Sequence, residues 1–110
     1  MAEKINGAKM EEVAGGVSLV KRRLNSGWCG IELRGEDELK AYNRYLKDTY
    51  GNQVFEDEGI TWTIDDTIKD NIAEFNGKNG RLFVEDYKAR DLYADFKDYC
   101  SKNGLGITFN

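Results

Sequence analysis

Histidine and proline are absent from this 110-residue chain, and cysteine occurs only twice. Without histidine the commonest general base is missing, and with it the usual orienter of a serine or cysteine nucleophile. With no Cys-x-x-Cys pair either, the ordinary zinc ligand sets are missing, so neither a metal nor a cofactor is expected. Without proline no stiff linker divides the chain, and turns must rest on glycine and asparagine. No apolar run approaches the roughly 18 residues that signal a bilayer-spanning helix, and the N-terminal stretch lacks the continuous apolar segment of a secretory signal peptide. Acids exceed bases by 20 to 16, for a net charge of -4. That balance gives little general attraction for phosphates, so no nucleic acid and no stable membrane insertion are expected.

What is present has the composition of a folded domain. At 40% hydrophobic and 12% aromatic residues, the chain can bury a single modest core, and its length suits one domain. Carboxylate pairs are the remaining candidates for chemistry: Asp57-Glu58, Asp65-Asp66 and Glu85-Asp86. Each has a structural role available, as turn, helix cap or first-turn charge, and residues 65–70 lack the central glycine and closing glutamate of a calcium loop. The expectation is that the protein is not an enzyme.

The first sixteen residues end Met10-Glu11-Glu12-Val13-Ala14-Gly15-Gly16. On a helix Ile5, Met10 and Val13 fall within an arc of about 140°, which can fill an apolar groove. Gly15 and Gly16, lacking Cβ atoms, suit a narrow protease cleft. This pattern resembles the double-glycine leader of bacteriocin-type precursors exported by peptidase-containing ABC transporters. In that family apolar residues stand four, seven and twelve places before a cut that follows the second glycine, the places of Val13, Met10 and Ile5 here. Lys9 stands where the family often carries an acid. The resemblance implies a transporter peptidase as partner, recognition through Ile5, Met10 and Val13, and cleavage at Gly15-Gly16. It also implies secretion of residues 17–110 as a bacteriocin-like or signalling cargo. The same residues allow a second reading. Residues 2–13 then form an ordinary amphipathic helix stopped by glycine, part of a cytoplasmic acidic interaction module of the immunity or regulatory type.

Cys29 and Cys100 form an even pair, which permits a disulfide in an exported domain and two buried thiols in the cytoplasm.

The rest of the chain reads as a small α+β domain with three to four helices and a few short strands. A short helix is expected over residues 17–24, with Val17, Val20 and Leu24 on one side and Lys21-Arg22-Arg23 solvated. Residues 28–33 alternate as a strand. Residues 36–50 read as a helix with acids in its first turn and Gly51 beyond its end. Strands at 53–55 and 59–64 flank an acidic turn. A helix capped by Asp65 or Asp66 carries Ile68, Ile72 and Phe75. The longest helix is expected between 82 and 102, burying Phe83, Tyr87, Leu92, Phe96, Tyr99 and Cys100, and a strand is expected over 105–109. Tyr50 and Tyr93 are the aromatic candidates for an exposed interface.

Overall fold

Residues 28–34 alternate Trp, Cys, Gly, Ile, Glu, Leu, Arg, so that one face of an extended chain carries Cys29, Ile31 and Leu33 and the other Trp28, Gly30, Glu32 and Arg34. In the computed structural model, which describes residues 15–21 and 27–110, this segment is the central strand of a three-stranded antiparallel sheet. Strand β1 (Gly16–Lys21) pairs with β2 (Trp28–Arg34) in the register Val17 to Leu33 and Leu19 to Ile31. Helix α1 (Glu36–Tyr50) follows, then a hairpin of β3 (Val54–Asp57) and β4 (Ile60–Thr63), then α2 (Ile64–Gly77). Strand β5 (Arg81–Glu85) returns to the other side of β2, and α3 (Ala89–Lys102) closes the order. Three helices and five short strands in two sheets make an α+β domain among the described residues.

The three helices cover one face of the three-stranded sheet. From the sheet come Val17, Ile31, Leu33 and Leu82, all essentially without exposed surface. From the helices come Leu39, Tyr42, Tyr45 and Leu46 of α1, Ile64 and Phe75 of α2, and Phe96 and Cys100 of α3. Phe96 sits at the centre, edge-on to Tyr42 at 5.3 Å and to Phe109 at 5.3 Å between ring centroids. Tyr45 joins Phe96 to Tyr99, whose hydroxyl donates to the Asp48 carboxylate.

Helix α1 matches the expected span to the residue, and its helix stop at Gly51 has a positive φ. The hairpin and α2 also lie where expected, with one correction. Thr63 is the N-cap of α2, and Asp66 is its reciprocal partner: the Asp66 N–H donates to Thr63 Oγ1 at 3.3 Å while the Thr63 N–H donates to Asp66 Oδ2 at 2.9 Å. This is a capping box, so the acid sits one turn inside the helix rather than at its cap. The Thr63 bonds hold the Asp66 carboxyl below the usual carboxylate range.

Three further expectations are overturned. Residues 17–21 form strand, because Val17 and Leu19 face the core together while Ser18 and Val20 face away; residues 22–24 lie outside the described part. The long helix over 82–102 is two elements. Strand β5 buries Leu82 and leaves Phe83 37% exposed, and α3 starts only at Ala89, so Tyr87 falls in the connection with 83% of its surface exposed. The C-terminal strand shrinks to one parallel bridge between Phe109 and Val17.

Tyr42 is buried, yet its hydroxyl makes no hydrogen bond among the described residues. A buried donor without a partner costs stability. Tyr42→Phe therefore leaves the unfolding free energy from denaturant titration unchanged or raises it by up to about 1 kcal/mol, whereas Phe96→Ala costs about 3–5 kcal/mol by leaving a cavity. Equal losses in the two variants would refute this account of the core.

Burial raises the pKa values of both core tyrosines, Tyr45 to about 12. The folded state thus keeps protons that the unfolded chain releases near an ordinary value of about 10. Their contribution to stability is complete below that pH and is lost as pH rises toward the folded value. Alkaline titration should show tyrosinate absorbance of these residues appearing together with loss of helical signal.

Candidate functional site at the glycine pair

Gly15 and Gly16 lead directly into β1, and the fold gives each glycine a steric reason. A Cβ on Gly15 would stand 2.8 Å from the Arg34 carbonyl oxygen and 3.2 Å from the Glu38 carboxylate. Gly16 is buried, has φ of 118°, and its Cβ would meet Asn110 Nδ2 at 2.8 Å and the Thr108 carbonyl oxygen at 3.2 Å. Only glycine adopts that φ without strain.

The C-terminal residues close over this junction. The Val17 N–H donates to the Thr108 carbonyl at 2.8 Å, and the Asn110 N–H donates to the Val17 carbonyl at 2.8 Å. Asn110 Nδ2 also lies 3.0 Å from Ser18 Oγ, and the Tyr93 hydroxyl donates to the Asn110 carbonyl at 2.7 Å. Tyr93 stands edge-on to Phe109 at 5.4 Å. Tyr93 is thus a clamp on the C-terminal segment rather than a free interface residue, while Tyr50 is partly exposed and meets Phe55 edge-on at 5.7 Å. The peptide bond between Gly16 and Val17 lies inside this arrangement, flanked by a buried glycine and a valine with no exposed surface. The apolar positions Ile5, Met10 and Val13 lie outside the described residues.

The remaining candidates disperse. Cys29 and Cys100 are both free thiols, the first half-buried in β2 and the second buried in α3. The Cys29 carbonyl accepts from the Asp86 N–H, just before α3 begins, whereas Cys100 lies near the far end of α3. At about 1.5 Å per residue the helix carries the two apart, and neither thiol is bridged in this structure. Burial pushes the Cys100 thiol up. The carboxylate pairs take structural roles. Glu58 and Gly59 make a two-residue hairpin loop with positive φ at both positions. Asp65 pairs with Lys47 at 3.0 Å, Asp66 completes the capping box, and Asp86 accepts from the Lys88 N–H at 2.7 Å. Among the described residues no three metal-ligating side chains come together.

Three shallow depressions open among the described residues. One, of about 330 Å³, runs between Lys40 and Arg44 of α1 and residues 104–107. The second, of about 400 Å³, lies between Trp28 and residues 87–91. The third, of about 290 Å³, lies between α3 and residues 105–109. Of the groups whose titration is displaced (Tyr42, Tyr45, Asp66, Tyr99 and Cys100), only Cys100 lines any of the three, and it lines the third. Among the described helices none is long and apolar enough to cross a membrane. No family model, curated protein or solved structure matches the chain.

The steric account of Gly16 is testable. Gly16→Ala should lower stability by more than about 1 kcal/mol, since alanine is strained at positive φ and its Cβ meets backbone. Gly27→Ala, where the Cβ meets nothing within 4 Å, should change little. Equal denaturant midpoints for the two variants would remove the structural reason for Gly16.

Proposed function

We propose that the chain is the precursor of an exported small domain. Residues 1–16 are a double-glycine leader removed by a transporter peptidase after Gly16, and residues 17–110 are the bacteriocin-like or signalling cargo. The observation that carries the reading is the position of the junction: β1 opens at Gly16, and among the described residues the core takes its first member from Val17, so a cut there leaves all of that core on the cargo side. The new amine at Val17 would remain beside the Thr108 carbonyl that its amide already contacts. Because the junction is buried in the fold, the peptidase must meet the chain before the C-terminal segment closes, or after local opening of that edge.

The same burial favours a second reading. If glycine at 15 and 16 serves only the turn into β1, the chain stays whole and acts as a small acidic interaction module inside the cell, steered by charge toward basic partners.

The mass of the protein recovered from the native host's medium and cytoplasm separates the two. Material beginning at Val17 in the medium supports the precursor reading, and intact chain confined to the cytoplasm supports the other. Met10→Asp is the better processing variant, because it places a charge in the peptidase groove, whereas Gly16→Val disturbs the fold as well as the cleft. Unimpaired processing of Met10→Asp would sink the leader reading.

A further inference from the structure

Among the described residues, strand β5 leaves one edge of the three-stranded sheet without a neighbouring strand. The ladder shows which groups point there. The Asp86 N–H donates to the Cys29 carbonyl and the Gly35 N–H to the Gly80 carbonyl, both in register with the β2–β5 pairing. Residues 82 and 84 therefore direct their backbone groups to β2, and residues 81, 83 and 85 direct theirs outward. The side chains of Arg81, Phe83 and Glu85 share the sheet face away from the helices and are all exposed.

Proteins usually blunt such an edge by shortness and charge. This one is charged in a particular order: a cation at 81, an aromatic ring at 83 and an anion at 85. Read backwards, the order is its own complement. Within its own sheet Arg81 has no favourable neighbour. It stands in register with Arg34, which is taken up by Glu32 at 2.9 Å, and it makes no ion pair among the described residues. Like charges placed opposite each other across a ladder are destabilising.

We propose that β5 is a self-recognition edge that pairs antiparallel with β5 of a second copy about a two-fold axis at Phe83. In that register Phe83 exchanges both backbone hydrogen bonds with Phe83 of the other copy. Arg81 of each chain stands opposite Glu85 of the other, and the two sheets become one of six strands. The contact is isologous, so it closes at the dimer and does not propagate. A carboxylate has two oxygens and accepts several donors, so Glu85 can serve Arg81 of the second copy alongside its interactions within its own chain. With only five residues per strand, the interface is small and the dimer correspondingly weak.

Sedimentation of the full chain from micromolar toward millimolar concentration tests the pairing. Wild type should shift from monomer to dimer over that range. Arg81→Glu and Glu85→Arg should each weaken the dimer by about tenfold or more, by setting like charges against each other twice per dimer. The double variant R81E/E85R should restore it. Amide exchange gives a second readout that does not depend on substitution: the Phe83 N–H should gain protection as concentration rises, while the Val84 N–H, bonded to β2, is protected throughout. A wild-type chain that stays monomeric across the range overturns the proposal, as does a dimer insensitive to Arg81→Glu, or a double variant as weak as the single ones.

Discussion

Ile31 and Leu33 have no exposed surface, and both stand in the middle strand of the sheet. Burying them forces the strand's other face outward, and the same alternation divides its backbone. Residues 30, 32 and 34 serve β1, and residues 29, 31 and 33 serve β5. A slip of one residue would turn Glu32 into the core, so the register is held by the cost of burying that carboxylate. Gly30 marks a place on the outer face of β2 where no side chain fits. A Cβ there would come within 2.7 Å of the Phe83 ring and would overlap the Val84 carbonyl oxygen. Phe83 thus lies across the strand and covers a position that has no side chain of its own.

That register carries consequences to both edges. On the β1 side, Val17 turns its backbone away from β2 and binds residues 108 and 110, which seat Phe109 against Phe96 and Tyr93. The two ends of the described domain are therefore locked to each other through one valine. An export leader ending at Gly16 would then sit at the place where folding and processing compete. The closed C-terminal segment hides the bond, and the open one presents it.

How much of this was legible beforehand depended on whether the signal was local. Helix α1 could be read to its ends because Glu36-Asp37-Glu38, the Leu39–Tyr42–Leu46 stripe and Gly51 all lie within one stretch. Residues 17–21 could not, because Val17 and Val20 satisfy a helical spacing as well as Val17 and Leu19 satisfy an extended one, and only pairing with β2 decides. In residues 82–102 the spacing of Phe83 and Tyr87 continued the helical pattern of Leu92, Phe96 and Tyr99. The contrary signal was the Asn79-Gly80 turn followed by Leu-Phe-Val between two charges, which is strand chemistry. Of the candidate site, the glycine pair was visible as a motif, while its burial under residues 108–110 was not, since that contact joins residues some ninety positions apart.

The outer edge of β5 was invisible for the same reason, and it follows from the same register. Once Leu82 and Val84 are committed to Leu33 and Ile31, Arg81, Phe83 and Glu85 have their backbone groups turned away from β2. Three exposed residues in a row on an edge ordinarily keep neighbours away when their charges are alike, because any antiparallel approach then sets like against like. Opposite charges placed symmetrically about a central residue do the reverse for one partner only, a strand running the other way with the same sequence. The chain's net charge of -4 opposes association in general, so the local order of charges on β5 has to overcome a long-range repulsion that salt screens. Raising ionic strength within the physiological range weakens both terms, but the repulsion between whole domains acts over longer distances and is screened more completely than an ion pair formed in contact.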